Sequence, residues 1–179
     1  MLRKRQTGFT ILELMVAIIV LVIFLTLAIP SFRTAVQNNR LTSATNGFVT
    51  AMQLARSEAV TRRTPVTACG SSDGVKCDAK FTDGWVVFVD ATALGSAPPE
   101  DVPSGSELRV WPAIDGDATN AGDDPDFIRF IPTGAVDNTT GTTFPITLVL
   151  EMPDCSGDNA REIEIAPNGR VSARRVACS

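Results

Sequence analysis

The sequence predicts an α+β fold: a long N-terminal α-helix, partly transmembrane, packed on an antiparallel β-sheet domain. Three observations predict it. Apolar residues run almost unbroken from Phe9 to Ile29. From Leu41 to Ala59 they thin to one helical face. Beyond Pro65 the chain breaks into short apolar runs separated by Gly, Pro, Asp and Asn, the punctuation of strands and turns.

The chain opens with a basic leader, Arg3-Lys4-Arg5, which stops at Gly8. The segment from Phe9 to Ile29 follows at once. As a helix rising about 1.5 Å per residue it spans roughly 30 Å, the thickness of a hydrocarbon core. From Leu14 to Ile29 no side chain is charged, so Glu13 stands out. A carboxylate near one end of such a segment costs about 1–3 kcal/mol unless it has a partner or sits at headgroup depth. Three readings fit the leader and the apolar run. A cleaved secretory signal needs a small-x-small site after the core, and Thr26-Leu27-Ala28 is a poor one, with Pro30 and Phe32 behind it. A plain signal anchor gives no reason for Gly8-Phe9 or Glu13. The third reading cuts the leader before the apolar segment and keeps that segment in the mature chain.

Past Pro30 the helical pattern continues to about Arg62. Pro in a helix interior removes one hydrogen bond, so a kink is expected there. Leu41, Ala44, Phe48, Ala51 or Met52, Ala55 and Ala59 recur at intervals of three and four. That stripe is expected to pack on a sheet. Thr64-Pro65 ends the helix, because the residue before proline avoids the helical region. Strands are expected at 66–69, 85–89, 108–111, 127–131, 145–150, 162–165 and 170–172. Residues 91–106 and 115–126 read as loops. The division is therefore 1–8 as leader, 9–30 as the membrane half of the helix, 31–63 as its amphipathic half, and 64–179 as one β-rich domain.

The chain carries 16 Lys and Arg against 20 Asp and Glu, with no His and no Tyr. Loss of the leader leaves thirteen cations and a formal charge of −7. The absence of His removes the commonest general base and zinc ligand. There is no P-loop and no nucleophile elbow. No enzyme and no cofactor are expected. The four cysteines, Cys69, Cys77, Cys155 and Cys178, all lie beyond the apolar segment. An even count in an exported chain suggests disulfides. Of three pairings, Cys69–Cys77 and Cys155–Cys178 close local loops and are favoured; each contributes about 2–4 kcal/mol.

Gly8-Phe9-Thr10-Ile11-Leu12-Glu13-Leu14 resembles the prepilin-peptidase site of type IV pilins and type II secretion pseudopilins. The resemblance implies cleavage between Gly8 and Phe9 and N-methylation of Phe9. It implies that Glu13 pairs with the Phe9 ammonium of a neighbouring subunit during assembly. It places the leader in the cytoplasm and the domain across the inner membrane, as the positive charges also require. Leu54-Ala55-Arg56-Ser57-Glu58-Ala59, Gly84-Trp85-Val86-Val87 and Gly169-Arg170 further resemble the GspH/FimT branch, which includes FimU-like minor pilins. The partners so implied are prepilin peptidase, other minor pilins, and the major pilin or pseudopilins. Taken without the resemblance, Arg56, Glu58 and Arg62 form a solvated helix end, and Trp85 is a core residue.

Two stretches of the domain are candidate ligand sites. In FimT-type proteins of this branch a Gly-Arg-x-Arg motif contacts DNA. Here Ser172 stands where the second Arg would be, and Arg174 and Arg175 follow. Arg170, Arg174 and Arg175 are thus the candidate DNA contacts, against a reading as solvated strand-edge arginines. Asp115, Asp117, Thr119, Asp123 and Asp126 fall at positions 1, 3, 5, 9 and 12 of an EF-hand-like loop, but Gly is missing at position 6. A plain acidic surface loop is the simpler account.

Overall fold

A computed structural model describes residues 10–94, 96–137 and 143–179, with the side chains of 27–31 outside the description. The chain divides into two units, Met1–Gln37 and Asn38–Ser179. One helix, α1 (Ile11–Arg62), contributes to both. Thr10 caps its start: Thr10 Oγ1 accepts from the Glu13 amide at 3.2 Å, and its carbonyl accepts from the Leu14 amide at 3.1 Å. Pro30 lies inside the helix and does not end it.

In the first unit the described helix surface from Ile11 to Leu25 is apolar on every side apart from Glu13. Ile11, Leu12 and the large residues from Leu14 to Leu25 are all exposed. Among the described residues, no helix is long and apolar enough to cross a membrane. The described apolar run closes at Thr26, short of the roughly 20 residues a span requires. The remainder of the expected span falls where side chains are not described.

In the second unit α1 shows the opposite distribution. Leu41, Thr45, Phe48, Ala51, Met52, Ala55 and Ala59 are buried on one stripe. Ala44 is only half-buried, and Thr45 takes the inner place, with its hydroxyl donating to the Leu41 carbonyl at 2.7 Å. Beyond Arg62 the chain turns through Arg63, whose φ is +55°. This left-handed residue stops the helix where glycine is usual.

Among the described residues eight strands follow: β1 (Val66–Gly70), β2 (Trp85–Val89), β3 (Glu107–Trp111), β4 (Thr119–Asn120), β5 (Phe127–Phe130), β6 (Ile146–Glu151), β7 (Ala160–Ile165) and β8 (Val171–Val176). They form two antiparallel sheets, ordered β3-β2-β1-β5 and β4-β6-β7-β8. The helix stripe meets both. Val66, Ala68, Val87, Ile128 and Phe130 of the first sheet share one core with Leu148, Leu150, Ile163 and Ile165 of the second. Phe48 lies edge-on to Phe81 and Trp85, with ring centroids 5.2 and 5.6 Å apart.

The four cysteines are joined as Cys69–Cys77 and Cys155–Cys178. The first ties β1 to the segment behind it. There Cys69, Val86, Phe88 and Val102 make a second, smaller core. The other disulfide fastens the residues after β8 to the turn after β6.

Arg63 pays a backbone cost of about 1 kcal/mol for its left-handed conformation. Arg63→Gly is therefore expected to raise stability by about 0.5–1 kcal/mol. Urea unfolding of the two chains checks this; a lower midpoint for the glycine variant contradicts it.

Candidate functional site

Three surfaces carry the residues that the sequence singles out. The first is the start of α1. Glu13 lies in the first helical turn and is exposed, three residues after its cap Thr10. Thr-x-x-Glu is the pattern of a capping box, which adds a local reason for a carboxylate there. Around it every large side chain to Leu25 is apolar and exposed. So large an apolar surface requires a partner, either lipid or other helices. Gly8 and Phe9, the expected cleavage and methylation positions, lie outside the described residues.

The second surface is the β7–β8 hairpin. Gly169 closes its turn with φ +76°, and a side chain there would stand 2.0 Å from the Gly134 carbonyl oxygen. Only glycine fits that approach, which explains the glycine of Gly169-Arg170. The three candidate arginines are exposed but differ in company. Arg174 pairs with Glu162 at 2.6 Å, so much of its charge is already matched. Arg170 and Arg175 form no ion pair among the described residues. An array of three free cations is therefore not present.

The third surface is the acidic stretch from Asp115 to Asp126, the weak EF-hand-like candidate. Thr119 and Asn120 form β4 and pair with Glu151 and Leu150. Asp123 accepts from the Thr147 amide at 2.7 Å. Asp126 borders a different depression, beside Lys80 and Asp83. Strand pairing thus spreads the carboxylates that a calcium loop would gather. Among the described residues no group of three or more His, Cys, Asp or Glu is placed to hold a metal ion.

A groove of about 300 Å³ separates α1 from the end of β3. Arg40, Ser43, Gly47, Trp85, Trp111 and Asp115 border it. Trp85 is 2% exposed and stacks on Trp111 at 6.0 Å, a core role. Its indole Nε1 finds no acceptor among the described residues.

One cluster escaped sequence reading. Arg129 on β5 is 1% exposed. Its Nη2 and Nε donate to Asp90 Oδ2 at 2.5 and 2.9 Å, and its Nη1 reaches the Ser96 carbonyl at 2.7 Å. Asp137 is a second carboxylate partner at 3.5 Å. The cluster clamps the long loop after β2 onto the back of the first sheet. A cation inside Phe-Ile-Arg-Phe was the available signal, since a strand buried on both faces rarely admits one unpaired.

The family described as Type II transport protein GspH matches residues 44–169. The chain belongs to this family. The prokaryotic N-terminal methylation motif matches residues 3–29. Two crystal forms of the Pseudomonas aeruginosa type IV minor pilin FimU resemble the structure, with TM-scores of 0.55 and 0.54, each at 19% identity. They cover 76% and 75% of this chain and 89% and 92% of theirs. The minor pseudopilin EpsH of the Vibrio cholerae type 2 secretion system matches at TM-score 0.43 and 15% identity, over 77% of this chain and 97% of its own. No curated protein is significantly similar. The fold is thus that of the minor pilins. The chain is a GspH-family protein that carries the N-terminal methylation motif and shares the FimU fold. GspH-family members are structural subunits rather than enzymes, anchored by the N-terminal helix and assembled with other pilins or pseudopilins.

Asp90 gives the cluster a pH dependence. Burial pushes its carboxyl up, but hydrogen bonds from Thr92, Thr67 and Arg129 outweigh this and hold it below the usual carboxylate value. A depressed folded pKa means stability that is full above about pH 4 and lost as pH falls through the folded value. Asp90→Asn is expected to flatten the fall in urea midpoint between pH 5 and 3, while Asp90→Ala costs about 3–5 kcal/mol at neutral pH. Parallel pH curves for the wild-type and Asn chains would contradict the assignment.

Proposed function

We propose that this chain is a minor pilin of a bacterial type IV pilus, a structural subunit of the complex that initiates the filament and sits at its tip. The single observation behind this reading is the start of α1: an exposed, all-round apolar surface with Glu13 in its first turn. It follows a methylation motif and leads into a GspH-family domain. In this reading prepilin peptidase cuts between Gly8 and Phe9, and the new Phe9 amine is methylated. The apolar helix anchors the subunit in the inner membrane, with residues 64–179 in the periplasm. On assembly the helix exchanges lipid for neighbouring helices. Glu13 then meets the Phe9 ammonium of the adjacent subunit, so that each charge supplies the other's partner in a low-dielectric setting.

The family's own description favours a second reading, the minor pseudopilin of type II secretion. DNA uptake is a third use, supported by exposed Arg170 and Arg175 and opposed by the acidic charge of the domain.

A deletion strain separates these readings: loss of surface pili supports the first, loss of secreted enzymes the second, and loss of transformation alone the third. Glu13→Val is expected to insert into the membrane as the wild type does and to be missing from sheared filaments. Normal incorporation of that variant would remove Glu13 from the assembly role.

A further inference from the structure

β7 and β8 set two arginines directly opposite each other. Arg161 and Arg175 are register partners. Alternation puts them on the face that Ile163 and Ile165 present to the core. Like charges in that relation destabilise a sheet. Arg161 is also only 6% exposed. Its guanidinium is held by neutral acceptors alone: the Asn159 and Ala160 carbonyls at 3.3 and 3.1 Å, and Thr42 Oγ1 of α1 at 3.3 Å. Among the described residues, no carboxylate forms an ion pair with either arginine. The stretches outside the description, 1–9, 95 and 138–142, contain no Asp or Glu. Buried charges are ordinarily paired. Burial and the Arg175 charge both lower the Arg161 pKa, as expected for cations crowded without a counter-ion.

The pair can be reached. β8 is the outer strand of its sheet, and Arg175 is exposed. On the same face as Arg175, Ala173 is exposed and Val171 half-buried, so an apolar strip borders the two cations. We infer that Arg161 and Arg175, with Thr42, form a recognition site for a carboxylate that another protein subunit presents, an Asp or Glu side chain flanked by apolar residues. The strip suits a protein surface better than a nucleic acid backbone. Arg174, which would extend a cationic track, lies on the opposite face and is matched by Glu162. That the donor is a neighbouring pilin-like subunit rests on the proposed function; the anion site itself does not.

The test uses the full chain in detergent micelles. Acetate and, separately, inorganic phosphate are titrated against chloride at equal ionic strength, with the arginine Nε–H resonances followed by NMR. Acetate is expected to shift Arg161 and Arg175 saturably. Arg175→Glu places a carboxylate opposite Arg161 within the chain. It is expected to abolish the acetate response and to raise Tm by about 2–4 °C. Arg170→Glu makes the same charge change on the hairpin turn and should leave the response intact. In cells, Arg175→Glu should be lost from sheared filaments and Arg170→Glu retained.

No saturable shift with acetate overturns the site. So does an equal shift in Arg175→Glu, an equal loss in Arg170→Glu, or normal filament incorporation of Arg175→Glu. Saturation by phosphate or duplex DNA without an acetate response reassigns the pair to nucleic acid and overturns the proposal. If even the unaltered chain is absent from filaments, the filament reading fails, and the acetate titration alone decides the site.

Discussion

Everything in the folded domain depends on one side of one helix. The two sheets share no strand ladder, so no row of hydrogen bonds joins them. They are joined because both inner faces bury against the stripe of α1 from Leu41 to Ala59. That requirement dictates the residues on the stripe. Ala51, Ala55 and Ala59 are fully buried and small, which lets the strands approach the helix closely. Phe48 and Met52 are the larger buried residues of the stripe, and Phe48 reaches Phe81 and Trp85. Truncating Phe48 would remove contacts to several elements at once, at the upper end of the cost of a core cavity. Between Ile11 and Leu25 the same helix has no such restriction, and apart from Glu13 its surface is apolar all round. The change in pattern along one continuous element marks where its partner changes from the chain's own sheets to something outside the chain.

The back of the first sheet is held by a different kind of interaction. Thr67, Arg129 and Asp90 occupy positions that an apolar core would fill in a simpler sheet. Arg129 donates to two carboxylates and to the Ser96 carbonyl, so its charge is matched and its donors are directed. A buried pair of this kind adds little stability over a hydrophobic replacement, but breaking it is costly. Its effect is positional. The long Pro- and Gly-rich loop after β2 is held by a few backbone hydrogen bonds to the 75–77 segment, which the Cys69–Cys77 link ties to β1, and by the Arg129 cluster. The apolar residues Phe88 and Val102 then close over the remaining area.

Much of this was legible because it is local. Spacing of three and four marks the buried helix face, and β1 and β2 fall within a residue of where their apolar runs begin and end. The misses have physical causes. β4 is two residues long, in a stretch of Asp, Gly and Asn, and exists only because β6 offers an edge. β8 runs on to Val176 although Ala173-Arg174-Arg175 shows no alternation, because its register is imposed by β7. The split into two sheets depends on pairing between distant strands, and no local period encodes it. The partner of Arg129, Asp90, is 39 residues away, so no local pattern links the two. Of the proposed assembly site, charge and hydropathy mark the basic leader and Glu13 as an isolated carboxylate, while the roles given to Gly8-Phe9 and Glu13 come from the resemblance to prepilin sequences. The cap itself, in which the Glu13 amide donates to Thr10 Oγ1, is a feature of the structure rather than of the hydropathy pattern.

Three arginines in this acidic domain show how context, not residue type, sets what a charge does. Arg129 is buried and satisfied from both sides by carboxylates, so it acts inward and holds a loop. Arg174 is exposed and matched by Glu162 across the strand pair; in water such a contact is worth at most about 1 kcal/mol and needs nothing further. Arg161 is buried like Arg129 but faces another arginine, and neutral oxygens are all it receives. An acidic chain with 20 carboxylates would have had many ways to place one there. None lies within ion-pair distance among the described residues, and the one neighbour the strand register does impose is a second positive charge. A monomer gains nothing from that arrangement. A subunit that must be completed by another does, because the same repulsion that weakens it alone is relieved only when the partner's carboxylate arrives.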